Sequence, residues 1–279
     1  MFQLYVRYLI NAHPNKCIMK NDLLNTIWLS EKRRKLIHLL KDGPKDIDEI
    51  KSTFNVSSRL IVPQIKQLEK QKIIIENDGV FQLSNIGELL IDKMLKIVDI
   101  NILLEKDKDY WEKRTLYSLP PQMYEKIGDL KNNYLYEYNI NNVLEIPPPF
   151  YPHLVKTNHY FMLLPYFHPN VIRETLNITK NGTKTILLAT PKVVKRIKKE
   201  FREDLTKLIN SPNLEIRILD EKTKPPALFI TDDLILIGFA TEEGVWDDRE
   251  LISQDEKALN WTQELFIYYK HMSTPLSGI

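Results

Sequence analysis

Several features on which whole classes of protein depend are missing from this sequence. Cys17 is the only cysteine among the 279 residues, which excludes an internal disulfide and a cysteine-cluster metal site and is typical of a reducing cytoplasm. No apolar run approaches the roughly 18 residues that a membrane-spanning helix needs, so we predict a cytoplasmic protein with no membrane partner. Residues 1–18 contain Arg7 and lack the hydrophobic segment and cleavage site of a signal peptide.

The sequence also lacks a large excess of charge of either sign. The formal net charge is only +2, so any affinity for nucleic acid must come from local charge placement. The sequence has no glycine-rich phosphate loop, nucleophile elbow or HExxH zinc signature. We therefore predict no enzyme, no catalytic residue and no cofactor. Acidic residues at 242, 243, 247 and 248 could bind a cation, but an acidic surface loop is the commoner explanation, and we predict no metal site.

The first third of the chain has the periodicity of several short helices followed by a hairpin. Apolar residues recur at helical spacing over residues 21–41, with Ser30 as a cap inside that stretch, and again over residues 46–54. A further helix begins at Ser57, and two short strands then flank Asp78-Gly79, a dipeptide preferred in two-residue hairpin turns. Ser84 caps the next helix. This order predicts a winged helix-turn-helix.

The helix over residues 57–70 is the predicted recognition helix. Ile61, Ile65 and Leu68 share one side as the buried stripe, and residues 32–72 carry eleven Lys/Arg against five Asp/Glu, an excess that suits phosphate neutralisation. A proline inside a helix costs roughly 3 kcal/mol. We expect Pro63 to loosen the first turn of this helix and to face thymine methyl groups. The alternative is that a proline stands by chance on a solvated face. The candidate DNA-binding residues are Ser58, Arg59, Pro63, Gln64, Lys66, Gln67, Lys70 and, at the wing tip, Asn77 and Asp78.

The helical pattern continues beyond the wing toward Leu104 and is apolar on more than one side. Two explanations remain open, a homodimer element and packing against a second domain. The charged stretch LEKDKDYWEKR marks the predicted domain boundary. The prediction is an arm or upstream extension over residues 1–18, a DNA-binding domain with its linker helix over 19–104, and an effector-binding and dimerisation domain over 105–279.

From residue 160 the pattern predicts an α/β domain with a partly parallel sheet. The strands YFMLL and TILLAT enclose a helix that Asn170 would cap, and together they form a βαβ unit. After this unit come a basic helix, the strand LEIRIL, a hairpin turning at residues 232–233 and a final helix over 255–271. Ligands collect beyond the carboxyl ends of such strands. The candidate effector-binding residues are therefore Tyr166, His168, Thr190, Trp246 and Asp247. Alternatively, His168 caps the adjacent helix and Trp246 packs in the core.

Several stretches carry a family resemblance. NVSSRLIVPQIKQLEKQKII with FQLSNIGELL resembles the winged-helix domains of archaeal transcription regulators. DYWEKRTLYSLPPQMYEKIGDL, LLPYFHPNVIRETLNITKNGTKTILLAT and the segment from ITDDLILIGFA to LFIYYK are similar to the sensor domain of archaeal methanogenesis-regulatory-type regulators. The resemblance covers nearly everything from Met19 onward. It implies a DNA-binding repressor or activator that has a C-terminal effector domain and acts as a dimer.

The resemblance extends to regulators whose sensor domains look like degraded phospholipase-D folds. That chemistry needs a nucleophilic histidine with a lysine two residues later, and none of the six histidines has one. The resulting hypothesis is a ligand-responsive, sequence-specific transcription regulator whose partners are double-stranded DNA, a second copy of the chain and an unknown small molecule. The alternative is a protein-interaction module built on a winged helix, and a weaker one is an enzyme with a nucleic-acid anchor that depends on His168.

Overall fold

The structure is a computed structural model that describes residues 22–139, 145–203, 206, 211–220 and 222–276. The chain forms two compact units, Met1–Leu95 and Lys96–Ile279. The contacts thus divide the chain inside a long helix, nine residues before the boundary predicted from sequence. The predicted arm over residues 1–18 lies outside the described residues.

The first unit combines helices with a small antiparallel sheet, whose strand order is β1-β3-β2. The elements in chain order are α1 (Asp22–Trp28), α2 (Glu31–Lys41), β1 (Lys45–Asp46), α3 (Ile47–Phe54), α4 (Ser58–Lys70), β2 (Ile74–Asn77), β3 (Val80–Leu83) and α5 (Asn85–Lys106), which continues into the second unit. This is the predicted winged helix-turn-helix order. The short strand β1, which pairs with β3, was not predicted because two residues carry no periodic signal.

Polar side chains fix where these helices begin. Ser30 accepts a hydrogen bond from the backbone N–H of Arg33 at the start of α2, and Asp46 and Glu49 form a capping box at the start of α3. Ser84 accepts from the N–H of Gly87 and donates to the Ile73 carbonyl, so it joins α5 to the strand region. The predicted caps at residues 30 and 84 are confirmed. Ser57 occupies the cap position of α4, but its hydroxyl makes no capping bond.

The core of the first unit is a single apolar cluster to which every helix contributes. The fully buried side chains include Ile27 of α1, Leu36 of α2 and Ile50 of α3. The predicted stripe of α4, Ile61, Ile65 and Leu68, is 0–2% exposed, which confirms the orientation of that helix.

The second unit is built on one mixed sheet of order β11-β7-β6-β5-β8-β9-β10-β4. Its elements are α6 (Lys108–Trp111), α7 (Pro121–Glu125), a 3-10 turn (Ile127–Leu130), β4 (Tyr134–Glu137), α8 (Tyr151–Leu154), β5 (His159–Leu164), α9 (Pro169–Lys180), β6 (Lys184–Ala189), α10 (Pro191–Glu200), β7 (Leu214–Leu219), β8 (Ala227–Ile230), β9 (Ile235–Gly238), β10 (Arg249–Ser253), α11 (Glu256–His271) and β11 (Ser273–Pro275). Strands β5, β6 and β7 are parallel, and the other pairings are antiparallel. The predicted βαβ unit, partly parallel sheet and 232–233 hairpin are confirmed.

Helices cover both faces of this sheet. Along β5 the side chains alternate, with Met162 in one apolar cluster and Leu163 in another. Trp261 and Leu265 of α11 cover the Leu163 face, whereas Val193 of α10 packs on the Met162 face. Because the central strands are buried on both faces, they are continuous apolar runs that a sequence pattern locates well.

Three details of the second unit differ from the sequence prediction. Helix α9 begins at Pro169 with His168 in the cap position, so the prediction that Asn170 caps it is wrong, because proline suits the first helical turn. Residues 249–253 form β10, which the sequence pattern did not predict, and β4 and β11 were also missed. Helix α10 ends at Glu200, and much of its predicted continuation lies outside the described residues. No helix in the described ranges is long and apolar enough to cross a membrane.

Candidate nucleic-acid interface and effector cavity

Helix α4 presents a polar surface on the side opposite its buried stripe. Most of the predicted DNA-binding residues of this helix are exposed, namely Ser58, Arg59, Pro63, Lys66, Gln67 and Lys70. They stand at spacings of three and four, so they form a continuous surface along 13 helical residues. The surface ends in Lys70, in the last turn of the helix.

Gln64 differs from these neighbours because its carbonyl oxygen is used inside the fold. Oε1 accepts hydrogen bonds from Arg33 Nη1 at 3.0 Å and from the Ser30 hydroxyl at 3.3 Å. The half-buried side chain therefore fastens α4 to α2. Its part in DNA binding stays a prediction, limited to the remaining amide donors.

Pro63 lies inside α4 without breaking it. In the opening turn the Leu60 N–H lies 3.0 Å from the Ser57 carbonyl and the Ile61 N–H lies 3.4 Å from that same oxygen. The Ser57 carbonyl thus accepts from both the 3-10 and the α-helical position, the latter through a long bond, and the loosening expected from the proline stays a prediction. Proline supplies no N–H to the carbonyl of Arg59, which lies exposed on the helix.

The wing has a short and stiff tip. Asp78 and Gly79 have φ of +52° and +82°, which is the type I′ geometry that matches the twist of a two-stranded ribbon. Asn77 pairs with Val80 directly before and after them. The predicted tip residues Asn77 and Asp78 are both exposed.

Part of the basic charge in this unit is committed to the fold. Arg33 donates to the Thr26 carbonyl and Arg34 donates to the Trp28 carbonyl. These two cations join α1 to α2, so the charge excess counted along the sequence overstates what is available to phosphates. The exposed cations on and just after α4 remain Arg59, Lys66, Lys70 and Lys72.

The main candidate for an effector site in the second unit is a cavity of about 400 Å³. Pro165, directly after β5, and Thr190, directly after β6, line it, so it lies at the carboxyl ends of the parallel strands. Lys192, Lys224 and Trp246 also contribute to its wall. Thr190 and Trp246 are thereby brought together as the sequence predicted.

Tyr166 and His168 line a second, smaller cavity of about 20 Å³ beside the first. The rings of Tyr166 and Trp246 are in contact, with centroids 4.9 Å apart. His168 is half-buried and its Nδ1 is buried without a hydrogen-bond partner. Burial lowers the pKa of this imidazole, which favours its neutral form. Four of the five predicted effector residues thus line two adjacent cavities, and Asp247 lines neither.

Asp247 is held in an ion-pair cluster. Its carboxylate accepts hydrogen bonds from Arg114 Nη2 and from Arg249 Nη2, the latter at 3.0 Å. Burial alone would raise the pKa of Asp247, but the two guanidinium groups outweigh it and hold the pKa below the usual range. The Asp247 carboxylate is thus already paired with two arginines of the same chain. The pairing with Arg114 anchors the loop that carries Trp246.

Comparison with known proteins identifies both units. Residues 21–101 match the model of the N-terminal domain of the methanogenesis regulatory protein FilR1, and residues 143–272 match the model of its middle domain. The chain belongs to the FilR1 regulator family.

Relatives of this FilR1-family chain are distant in sequence. The methanogenesis regulatory protein FilR1 of Methanothrix harundinacea (strain 6Ac) is 23% identical over 255 residues, which are 88% of this chain and 56% of the relative. The chain therefore spans only about half the length of that relative. Among solved structures, the archaeal chromatin protein TrmBL2 is 17% identical with a TM-score of 0.41, covering 88% of this chain and 93% of that one. A phospholipase D family member, Nuc from Salmonella typhimurium, is 10% identical with a TM-score of 0.38, covering 53% and 100%.

Sequence reasoning about this family member missed one residue, Glu250. The side chain is only 4% exposed, and burial raises its pKa to about 7 despite hydrogen bonds from Tyr138 and Tyr166. The signal available in the sequence was an acidic residue followed by the apolar pair Leu251 and Ile252, which lies in a buried strand. In the described part of the chain, no group of three His, Cys, Asp or Glu residues is placed to hold a metal ion.

Proposed function

We propose that this FilR1-family chain is a transcription regulator that binds double-stranded DNA with α4 in the major groove and changes its affinity when a small molecule occupies the second unit. The single observation that carries the proposal is the polar, cation-bearing surface of α4 opposite its buried stripe. An α-helix fits the major groove, and exposed side chains spaced along it reach base edges. The proposal assigns regulation and no catalytic reaction to the chain.

The position of each exposed group on α4 suggests its role. Arg59 lies in the first turn, and the N-terminal residues of a recognition helix are the ones that contact bases. Lys70 lies in the last turn, and we assign it a phosphate contact. The type I′ tip with Asn77 and Asp78 is stiff enough to follow the backbone beside the groove.

The homodimer is proposed on a second observation, the exposed apolar residues of α5. Ile86 is 46% exposed and Leu89 is 67% exposed, one helical turn apart. A second copy would bury them, and symmetric dimers read two DNA half-sites one helical turn apart. Sedimentation velocity of the intact chain and of Leu89→Glu tests this, with Glu88→Gln as the control. A monomer in the unsubstituted chain would contradict the proposal.

The first test of DNA binding is fluorescence anisotropy with DNA from the upstream region of the protein's own gene, against scrambled DNA, over a salt series. We expect binding about a thousandfold tighter to the upstream DNA, weakening steeply with salt. Adding a low-molecular-mass filtrate of cell extract should change that affinity, and Trp246→Ala should remove the change. Equal, weak binding to both DNAs in every condition would contradict sequence-specific recognition.

One observation favours a protein partner instead. Leu60 in the first turn of α4 is 50% exposed and Ile75 in the wing is 39% exposed, so the surface includes apolar area that DNA does not require. Absence of binding to any DNA at low salt would favour this protein-interaction function.

A further inference from the structure

Glu250 is a buried carboxylate without a cationic partner. It lies in β10 at 4% exposure, and in the part of the chain that the structure describes no lysine or arginine pairs with it. Its two oxygens accept hydrogen bonds from hydroxyl groups only, Oε2 from Tyr138 and Oε1 from Tyr166 at 3.3 Å. Buried charges are normally paired, so this one requires an explanation.

The small cavity lies directly against this carboxylate. Aromatic side chains dominate its wall, with Tyr138, Tyr160, Tyr166, Phe150 and Phe229 among them. No residue described in its wall is lysine or arginine, whereas the exposed Glu145 adds a second acidic group. A volume of about 20 Å³ accommodates a group the size of one water molecule.

His168 supplies a further acceptor to the same cavity. Its Nδ1 is buried and unpaired, and in the neutral imidazole with the proton on Nε2 this atom can only accept. The two tyrosine hydroxyls already donate to Glu250. Apart from the hydroxyl of Tyr160, the cavity therefore offers acceptors and negative charge, and its described wall has no positive charge.

We infer that this cavity binds the ammonium head group of a small organic amine, with Glu250 as its countercharge and His168 Nδ1 as a second acceptor. An –NH₃⁺ group is about as large as water, carries three donors and one positive charge, and is attracted to aromatic faces. An anion would meet Glu250 unfavourably, and a neutral alcohol would leave the carboxylate unpaired. The body of the amine would lie toward the open side, where Glu145 is exposed.

This site goes beyond the proposed function, because amine binding does not depend on whether the chain binds DNA. The contact between Tyr166 and Trp246 could couple amine binding to regulation. Tyr166 lines the small cavity, Trp246 lines the larger one, and their rings touch. An amine that orders Tyr166 therefore acts on the wall of the proposed effector cavity.

The test is isothermal titration of the intact chain at pH 8 and constant ionic strength with methylammonium, ethylammonium and propylammonium chloride. Ethanol, sodium chloride and tetramethylammonium chloride serve as matched probes that lack the charge, the organic group or the donors. We expect saturable binding of at least one primary amine and none of the three controls. Glu250→Gln should weaken that binding by at least about tenfold, whereas the exposed Glu243→Gln should not.

The same titration at lower pH tests the countercharge. Protons and amine compete for Glu250, so affinity should fall by up to about tenfold per pH unit below pH 7. The other titratable or charged groups around the cavity are Tyr138, Tyr160, Tyr166, His168, Glu145 and Asp247. His168→Gln, which keeps an amide acceptor, should retain part of the affinity, and His168→Leu should lose it.

Circular dichroism of each variant establishes that it is folded before its affinity is compared. Binding of no primary amine, unchanged affinity in Glu250→Gln, or tighter binding of tetramethylammonium than of every primary amine would each overturn the inference. DNA anisotropy on the same preparation keeps the two proposals distinct, since a chain that binds amine but not DNA refutes only the proposed function.

Discussion

The guanidinium group of Arg114 contacts the carboxylate of Asp247, 133 residues further along the chain. The Arg114 side chain is completely buried, lies over the ring of Tyr110 at 3.9 Å, and donates from Nη1 to the carbonyl of Phe239 at 3.2 Å. Asp247 is its only acidic partner among the described residues. The loop before β10 is thus fastened to the segment that follows α6.

Replacing this acidic partner should be costly. In Asp247→Asn the buried Arg114 keeps its charge without a counterion, and such losses cost about 3–5 kcal/mol. Because Asp247 is itself 25% exposed, we expect about 3 kcal/mol in the urea-induced unfolding of the second unit. Asp248→Asn, at the exposed neighbouring position, is the control and should change little. Equal effects of the two substitutions would refute the anchoring role.

Gly87 should tolerate no side chain. An added Cβ would lie 2.1 Å from the Ile73 carbonyl oxygen, a backbone atom that cannot easily move. Gly87→Ala should therefore destabilise the first unit by about 2–4 kcal/mol, although alanine normally favours a helix. Glu88→Ala, the next and exposed helical position, should change stability by less than about 0.5 kcal/mol. Thermal unfolding of the intact chain measures both.

Pro63→Ala should stabilise the same unit while weakening DNA recognition. The substitution supplies an N–H for the carbonyl of Arg59 and removes the ring from the helix interior, and we expect a gain of about 1–3 kcal/mol. Lys66→Ala, one turn on and also exposed, should be nearly neutral for unfolding. A loss of stability on removing the proline would show that its ring is packed in the fold and does not face a ligand.

Arg59→Ala separates base contact from phosphate contact. If Arg59 touches a base, affinity for the specific DNA should fall by about 1–3 kcal/mol while binding to scrambled DNA stays nearly the same. If it touches phosphate, both affinities should fall and the salt slope should decrease by about one. Lys93→Ala on α5 provides the control, and anisotropy on both DNAs gives the readout. No change on either DNA would remove Arg59 from the interface.

Glu250 should make stability depend on pH near neutrality. Burial, opposed by hydrogen bonds from Tyr138 and Tyr166, raises its pKa to about 7 in the folded chain. A pKa raised above the unfolded value means that the folded state loses stability as pH rises from about 4.5 to 7. That loss is of order 3 kcal/mol. Glu250→Gln should match the original chain at pH 5 and exceed it at pH 8, and Glu112→Gln should follow the original chain throughout.

The sequence predicts the central elements well and the edges of the second sheet poorly. LEIRIL is a strand over its whole predicted length, residues 214–219, because its apolar residues alternate with Glu215 and Arg217 in the period-two pattern of a strand. β4, by contrast, is YLYE, and it becomes a strand only because β10 lies beside it. Such pairing over a long sequence separation leaves no local signal.

The candidate site shows the same limit. The polar side of α4 follows from helical periodicity, but the position of Gln64 against Arg33 follows from how two helices pack. Glu250 was missed for that reason too. Whether a carboxylate on a strand faces solvent or a cluster of tyrosines is decided by neighbours that come from residues 138 and 166.

The order of the strands in the large sheet has a consequence for the time at which it can form. Among the described strands β4 pairs with β10 alone, so the backbone of Tyr134 pairs with Ile252, more than a hundred residues later in the chain. The first unit closes its sheet between strands that are a few residues to a few tens of residues apart. Loop closure over long separations is slow, and domains fold in turn during synthesis. The winged-helix unit should therefore be complete on the ribosome while the β4 edge of the large sheet is still unpaired and open to misassembly.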